Sequence, residues 1–128
     1  MREIRHSFRV MTYDIDFAGI VSNQVYIRWL EDLRNLFADQ ALPLPVAMGR
    51  GIVPVVARTE IDYLAAARFP DTLDARMWLA QAGRVKWVLG AQFTSRAGGQ
   101  VTARAQQSGA FVSLGSGRPV PLPAEFRE

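Results

Sequence analysis

The 128-residue sequence contains no cysteine and only one histidine, and each shortage excludes a class of chemistry. Without cysteine there is no disulfide framework, no thiol nucleophile and no zinc site with sulfur ligands. A single imidazole, on His6, excludes a metal site built from several histidines, so we expect neither a metal nor a cofactor. A Ser-His-Asp triad would have to be assembled around His6 in an N-terminal strand, and a structural role is the preferred interpretation of this residue.

Long hydrophobic runs are also missing. No stretch approaches membrane-spanning length, and the first residues lack the apolar core of a signal peptide, so we expect a cytoplasmic protein with no membrane partner. The formal net charge of +3 comes from 15 basic and 12 acidic residues. The basic residues are scattered, whereas nucleic-acid binding predicts a basic cluster with interleaved aromatics. We therefore expect no nucleic-acid partner, while an anionic small molecule is compatible with the charge.

The hydrophobic pattern predicts one domain, residues 1–128, that begins with a strand and a long helix. Residues 4–11 alternate in character, as in a half-buried strand at the edge of a sheet. Apolar residues then recur at helical spacing: Tyr26, Trp29, Leu30, Leu33, Leu36 and Phe37. Ser22 or Asn23 is in position to cap this helix, and two prolines prevent it from continuing far beyond Gln40.

Four further segments have the composition or alternation of strands, at residues 53–64, 72–80, 85–94 and 101–114. Turns rich in glycine or proline separate them, so the last three strands should form an antiparallel meander. A slip in the alternation near Ser108 and Gly109 predicts a bulge. The order is an α+β arrangement in which the sheet can curl around the helix. Because such a sheet has open edges, pairing two edges across a symmetry axis predicts a homodimer.

The most specific pattern lies between the first strand and the helix. An Asp-x-Asp pair is followed by a glycine, two branched apolar residues and a tyrosine: Asp14, Asp16, Gly19, Ile20, Val21 and Tyr26. This ordered set resembles the signature of the 4-hydroxybenzoyl-CoA thioesterase family of hotdog proteins. The resemblance continues through residues 60–64, 70–71 and 122–123, and so covers nearly the whole chain.

The resemblance implies the hotdog fold, a curled antiparallel sheet wrapped around one long central helix. It also implies hydrolysis of an acyl-CoA thioester to free acid and coenzyme A, in a homodimer or homotetramer with the active site at the subunit interface. The catalytic carboxylate of the family falls on Asp16, as nucleophile or general base. The chain departs from the family at Ser22, Asn23, Gln24 and Val25, where many members have Tyr-His-x-Asn, so the imidazole that assists some relatives is absent.

The helix start has a physical role independent of the family. A thioester carbonyl needs its oxygen stabilised as charge develops, and the free N–H groups at a helix start provide donors and positive potential. The backbone N–H groups of Asn23 and Gln24 are the expected donors, and losing one such donor typically costs about 10²–10³ in rate. Structural alternatives remain open, because Asp is common in turns and Asn is common at helix caps.

Other candidates have paired interpretations. Gly19 permits either an unusual backbone angle or a close approach of substrate. Tyr26 and Trp29 either line an acyl pocket or belong to the core, and the core is the commoner place for aromatics at helical spacing. Glu31 is a reserve catalytic residue, since other hotdog thioesterases use a helix glutamate, or it simply pairs with Arg34 on the helix.

Arg84 and Lys86 alternate with apolar residues, so they are predicted to share one strand face. They either hold the phosphates of coenzyme A or form a solvated face. Two rival functions stay open. One is a thioesterase that takes its acyl group from an acyl carrier protein of a biosynthetic pathway, and the other is a hotdog module that binds an acyl thioester without cleaving it. Hydroxybenzoyl, other aromatic and short or medium aliphatic groups all suit an apolar pocket.

Overall fold

The alternating segments of the sequence form an antiparallel sheet, and the segment with helical spacing forms one long helix packed on it. The structure is a computed structural model that describes residues 2–127. In chain order the elements are β1 (Glu3–Arg9), α1 (Asn23–Ala41), α2 (Leu44–Gly49), β2 (Ile52–Tyr63), β3 (Thr72–Ala82), β4 (Lys86–Ser95), β5 (Val101–Ser113), β6 (Pro119–Val120) and α3 (Ala124–Arg127). A single 3-10 turn, Thr12–Asp14, lies between β1 and α1.

The sheet has the strand order β1-β3-β4-β5-β2, and the two-residue β6 pairs with β5. All of these pairs are antiparallel. The predicted meander of β3, β4 and β5 is confirmed, as is the position of β1 at one edge of the sheet. The predicted α+β arrangement, a curled sheet with one long helix, is therefore the arrangement that the chain adopts.

The core lies between α1 and the inward face of the sheet. The helix buries one apolar face, formed by Val25, Tyr26, Trp29, Leu30, Leu33 and Phe37. Trp29 stacks on Phe8 of β1 with ring centroids 5.0 Å apart, and Tyr26 meets Phe93 of β4 edge-on at 5.1 Å. Each fully buried large side chain contributes about 1.5–3 kcal/mol of transfer free energy, so this face holds the helix against the sheet.

The predicted bulge near Ser108 and Gly109 is confirmed, although the extra residue lies in the neighbouring strand. Val56 pairs with Gly109 and Arg58 pairs with Ser108, which leaves Ala57 of β2 without a partner in β5. At Gly109 the strands come so close that a Cβ atom would lie 1.8 Å from the carbonyl oxygen of Val55. Only glycine fits this position without movement of the backbone.

The segment after α1 folds differently from a simple connection. Its prolines do end α1, at Ala41, but the chain then enters α2. Pro43 is the N-cap of α2 and Pro45 is its second residue. The first N–H groups of a helix have no intrahelical partner, so a proline here loses nothing and its fixed φ favours the helix. The C-terminal tail adds α3, whose buried Phe126 packs edge-on against the ring of Phe37.

Candidate functional site

Asp16 lies in a tight loop that leads into α1. An antiparallel bridge between Ile15 and Val21 closes this loop, which we call the Asp16 loop (residues 15–21). Inside it, the Asp16 N–H donates to the carbonyl of Ile20 at 2.8 Å, and the Gly19 N–H donates to the carbonyl of Asp16 at 3.0 Å. Gly19 has φ +79°, in the left-handed region, so the unusual backbone angle predicted for it is confirmed.

The two oxygens of the Asp16 carboxylate have different environments. Oδ1 accepts the N–H of Ala18 at 2.8 Å and the N–H of Ile20 at 3.4 Å, an arrangement that aspartate commonly makes in turns. Oδ2 accepts no hydrogen bond from residues 2–127. The side chain is exposed. One oxygen therefore holds the loop, while the other is left available for a ligand.

Asp14 is the buried anchor of the same segment. Its carboxylate, 2% exposed, accepts a hydrogen bond from Arg28 Nη2 of α1 at 2.7 Å and another from the N–H of Met11 at 2.8 Å. Its carbonyl accepts the N–H of Ser22, the residue before α1, at 3.0 Å. A buried carboxylate needs such partners to offset the loss of water. Asp14 thus joins the 3-10 turn to the first two turns of α1.

The first turn of α1 has unpaired amides beside this loop. Ser22 is the N-cap residue, but its side chain makes no capping bond; its carbonyl instead accepts the N–H of Val25 at 3.0 Å. Within the described part of the chain, the N–H groups of Asn23 and Gln24 have no acceptor. The first N–H groups of a helix carry its positive dipole end. These two amides can therefore donate to an anionic or polarised oxygen.

A cavity of about 280 Å³ adjoins the helix start. We call it the helix-start cavity. Its walls are the end of the Asp16 loop, the first turn of α1 and the chain after β2: Ile20, Val21, Asn23, Tyr26, Tyr63, Leu64, Ala65, Ala66 and Ala67. Aliphatic side chains form part of these walls, and Asn23, Tyr26 and Tyr63 supply polar groups. Asp16 is not among the lining residues, so its carboxylate belongs to the loop beside the cavity.

Tyr26 and Tyr63 are the polar aromatic residues of this cavity. Tyr26 is 3% exposed, so its predicted core role is confirmed, and its hydroxyl donates to Thr102 Oγ1 at 3.0 Å. Burial raises the pKa of Tyr26. The Tyr63 hydroxyl donates to the carbonyl of Asn23 at 3.3 Å. The sequence did not indicate Tyr63, because it is 40 residues from Asn23 and no local pattern joins them.

Glu31 lies further along α1, at a different cavity. Its carboxylate is exposed and stands 3.9 Å from Arg34 Nη2. Arg34 also donates to Gln107 Oε1 at 2.7 Å, and burial lowers the pKa of Arg34 despite the nearby Glu31 charge. Glu31 and Arg34 line a cavity of about 370 Å³ between α1 and the sheet, together with Trp87. The structure therefore separates the reserve candidate from the helix start, and the pairing with Arg34 is present.

Arg84 and Lys86 lie at the other end of the sheet. β4 begins at Lys86, so Arg84 is in the preceding turn rather than on the same strand. Lys86 pairs with Ala110 of β5, whereas Tyr63, beside the helix start, pairs with Ala103. Seven residues of strand span about 23 Å. Within one chain, these two basic residues are thus not brought together with Asp16.

No helix among residues 2–127 combines the length and apolarity needed to cross a bilayer. The family model described as the thioesterase-like superfamily matches residues 10–128 of the chain. No curated protein matches in sequence.

Several solved structures share the fold. A mutant 4-hydroxybenzoyl-CoA thioesterase in complex with 4-hydroxybenzoyl-CoA is 26% identical, with a TM-score of 0.87 over 99% of this chain and 97% of that chain. The 1,4-dihydroxy-2-naphthoyl-CoA thioesterase from Synechocystis is 20% identical, with a TM-score of 0.87 over 98% and 93% of the two chains. A Staphylococcus aureus protein in complex with CoA is 14% identical, with a TM-score of 0.90 over 98% and 80%. At these last two identities the likeness shows the hotdog fold alone.

Proposed function

The chain belongs to the thioesterase-like superfamily, and from this premise we propose that it hydrolyses an acyl-CoA thioester to the free acid and coenzyme A. In this proposal the Asp16 carboxylate is the catalytic group and the first turn of α1 activates the carbonyl. The observation that carries the proposal is the Ile15–Val21 bridge, which closes the Asp16 loop directly onto the start of α1. A carboxylate and two unpaired amides are thereby held on one short segment.

The amides of Asn23 and Gln24 supply electrostatic stabilisation. As the thioester carbonyl is attacked, negative charge collects on its oxygen, and preoriented N–H donors stabilise that charge without having to reorganise. The positive end of the helix dipole, about half an elementary charge, acts in the same direction. Because α1 is held by its buried face, these donors stay in position throughout the reaction. They take over part of the work that an imidazole performs in other hydrolases.

Asp16 acts through the oxygen that the loop leaves unpaired. As a nucleophile, Oδ2 attacks the carbonyl carbon, the C–S bond breaks, the thiolate leaves, and water then hydrolyses the mixed anhydride. As a general base, Oδ2 takes a proton from the attacking water and returns it to the departing sulfur when the C–S bond breaks, which regenerates the carboxylate. In both routes the bonds to Oδ1 fix the orientation of the carboxylate, which is worth a large effective concentration.

The acyl group occupies the helix-start cavity in this proposal, with Gly19 and Tyr26 as substrate-binding residues. Nothing lies within 4 Å of the place where a Cβ of Gly19 would be, so the space beside the loop is open to a ligand. Glu31 remains the reserve catalytic residue, and Arg84 and Lys86 remain candidates for binding phosphates. Because all three lie away from Asp16 within one chain, they could act only at a site to which a second copy of the chain contributes.

A homodimer, alone or paired into a tetramer, is part of the proposal. The twelve-residue strand β2 has an open edge, and Val55 and Val56 on it are exposed. A long edge with exposed apolar side chains is a place for another strand to pair, and a second copy of the chain supplies that strand by symmetry. Sedimentation equilibrium tests this directly: a monomer at all concentrations would contradict it.

Asp16→Asn tests the catalytic assignment. Asparagine keeps an oxygen that can accept the Ala18 N–H, so we expect the unfolding free energy to change by less than about 0.5 kcal/mol. Loss of the carboxylate should lower kcat by about 10²–10⁴-fold, measured by thiol release from a panel of acyl-CoA esters. The matched control is Asp39→Asn, the same charge change on an exposed position of α1. Undiminished turnover by the Asp16 variant would contradict the assignment.

Adding matched acyl carrier protein esters to the panel of acyl-CoA esters separates the rival functions. Faster turnover on an acyl carrier protein ester than on the matched CoA ester favours the carrier-protein thioesterase. Saturable binding of an acyl-CoA with no thiol release by the unmodified protein favours the non-catalytic binding module.

A further inference from the structure

A cleft larger than the helix-start cavity lies beside it. It measures about 700 Å³ and runs between the connection from β2 to β3 and the hairpin from β4 to β5. We call it the basic cleft, because it contains the side chains of Arg68 and Arg96. Ala66 lines both this cleft and the helix-start cavity. The two spaces are therefore neighbours, joined along the chain that follows β2.

Arg68 is positioned by the Asp16 loop itself. Its backbone forms an antiparallel bridge with Ile20, and the Val21 N–H donates to the carbonyl of Ala67 at 2.8 Å. Directly bridged residues have Cα atoms about 4.5–5.5 Å apart, so the backbone of Arg68 lies beside that of the loop. Its side chain is exposed, and within residues 2–127 its guanidinium makes neither an ion pair nor a hydrogen bond.

The other charged groups of the cleft are already engaged. Arg96 donates to Asp74 Oδ1 at 2.6 Å and to Ser7 Oγ at 3.0 Å. The Asp71 carboxylate accepts the Ser95 hydroxyl, the Thr72 N–H at 2.8 Å and a second backbone N–H, from the β4–β5 hairpin. The negative charge of Asp71 is thus stabilised by its own neighbours, and Arg68 is the cation of the cleft that has no partner within the described residues.

We propose that Arg68 binds phosphate on the pantetheine arm of the substrate. The inference rests on the proposed function and adds the place where the leaving group is held. With the acyl group at the helix start, the arm runs past Ala66 into the basic cleft. A guanidinium matches a phosphate with two parallel N–H donors, and an unpaired one has these donors available. Arg84 precedes Lys86, which lies about 23 Å along the sheet from the level of Tyr63, so Arg84 cannot serve the same subunit's site in this way.

The shared chemistry is a phosphate ester of pantetheine, which has two sources. Coenzyme A carries this phosphate within its diphosphate, and an acyl carrier protein carries it on its prosthetic arm. A free acyl-4'-phosphopantetheine has only the shared phosphate. The same acyl group on N-acetylcysteamine has none.

The test compares Arg68→Gln with the unmodified protein on these three thioesters. We expect KM for the acyl-CoA to rise about 10-fold with kcat unchanged, equivalent to about 1.4 kcal/mol. This is the lower range for a hydrogen bond to a charged group, since the cleft is open to solvent. The N-acetylcysteamine ester should show no change in KM. Salt should weaken acyl-CoA binding in the unmodified protein more than in the variant.

Arg118→Gln is the matched control, since it makes the same charge change at an exposed position away from the basic cleft. Equal increases in KM for acyl-CoA and acyl-phosphopantetheine support binding of the shared phosphate. An increase for acyl-CoA alone contradicts it, because Arg68 would then bind a phosphate that only coenzyme A has. An unchanged KM in Arg68→Gln, or an equal rise for the N-acetylcysteamine ester, would overturn the inference.

The inference and the proposed function fail separately. If the unmodified protein hydrolyses none of the thioesters, the proposed function is wrong. Arg68 can then still be tested by measuring the Kd of coenzyme A by calorimetry. A higher Kd in Arg68→Gln but not in Arg118→Gln supports the phosphate site, and equal Kd values in the two variants contradict it.

Discussion

Replacing Arg28 by methionine should loosen the segment that holds Asp16, with an effect large enough to measure. The substitution keeps most of the aliphatic length but removes the guanidinium that binds Asp14. The Asp14 side chain is 2% exposed and that of Arg28 is 54% exposed, with 2.7 Å between the bonded atoms. The variant leaves a buried carboxylate whose remaining partner is the Met11 N–H.

The expected magnitude follows from these exposures. Hydrogen bonds to charged groups contribute about 1.5–3 kcal/mol, and leaving a buried charge unpaired costs about 3–5 kcal/mol. Because solvent screens the half-exposed Arg28, we expect the lower part of this range, about 2 kcal/mol. An unfolding entropy of about 2.1 cal/mol/K per residue converts this into a Tm lower by about 7 °C for a chain of 128 residues.

Activity should fall as well, since Asp14 also accepts the N–H of Ser22 at the entry to α1. A shift of about 1 Å between a catalytic group and its substrate can cost about 10²-fold. We therefore expect kcat of Arg28→Met to drop about 10- to 100-fold with little change in KM. Urea unfolding, followed by tryptophan fluorescence at pH 7, gives the stability, and thiol release gives the kinetics.

Arg58→Met is the matched control. Arg58 pairs with Glu60 at 3.1 Å, but the two side chains are 71% and 55% exposed, so the loss should stay below about 0.5 kcal/mol. If Arg28→Met is no less stable than Arg58→Met, the buried pair is not the anchor of the Asp16 loop. A double-mutant cycle with Asp14→Asn measures the coupling directly.

Two further predictions concern stability. Leu33 lies on the buried face of α1 and is fully buried, so Leu33→Ala should lower the unfolding free energy by about 3–5 kcal/mol in urea titrations. A loss below about 1 kcal/mol would contradict its place in the core. Hydrogen bonds from Arg96 and Ser7 hold the pKa of Asp74 below its ordinary value of about 3.9. The charged Asp74 therefore stabilises the folded protein fully at pH values above the ordinary pKa, which is that of the unfolded chain. The stabilisation is lost as the pH falls through the lower pKa of the folded protein. Asp74→Asn should therefore be less stable than the unmodified protein at pH 7, and the difference should vanish at strongly acidic pH.

The sequence predicted the elements well because periodicity records which face of each element is buried. Six apolar residues at helical spacing predicted α1, and all except Leu36 are buried. The slip near Gly109 predicted a bulge at the right level of the sheet, but the added residue is Ala57 in the strand opposite. The order of the elements indicated the α+β class, and the family resemblance implied the hotdog fold, since hydrophobic periodicity alone does not specify how helices and strands pack.

The rest depended on contacts between residues far apart in sequence. The pair of Arg28 and Asp14 spans 14 residues, and the Tyr63 hydroxyl reaches the Asn23 carbonyl across 40 residues. The alternation of residues predicted that Arg84 lies on a strand face. It did not indicate at which end of the sheet Arg84 lies, because this position depends on how β4 pairs with β5. Proline both ended α1 and began α2, so its presence alone did not indicate a second helix.

The position of Ala66, which lines both the helix-start cavity and the basic cleft, has a consequence for how selectivity can change. Since this one small side chain borders two adjoining spaces, a bulkier residue there would narrow both of them together. Tyr63 lines the helix-start cavity but not the basic cleft, so its substitution would reshape the cavity and leave the cleft unchanged. Under the proposed function, a substitution at position 66 would therefore change both the size of the accepted acyl group and the affinity for the phosphate-bearing arm. A substitution at position 63 would change only the first of these.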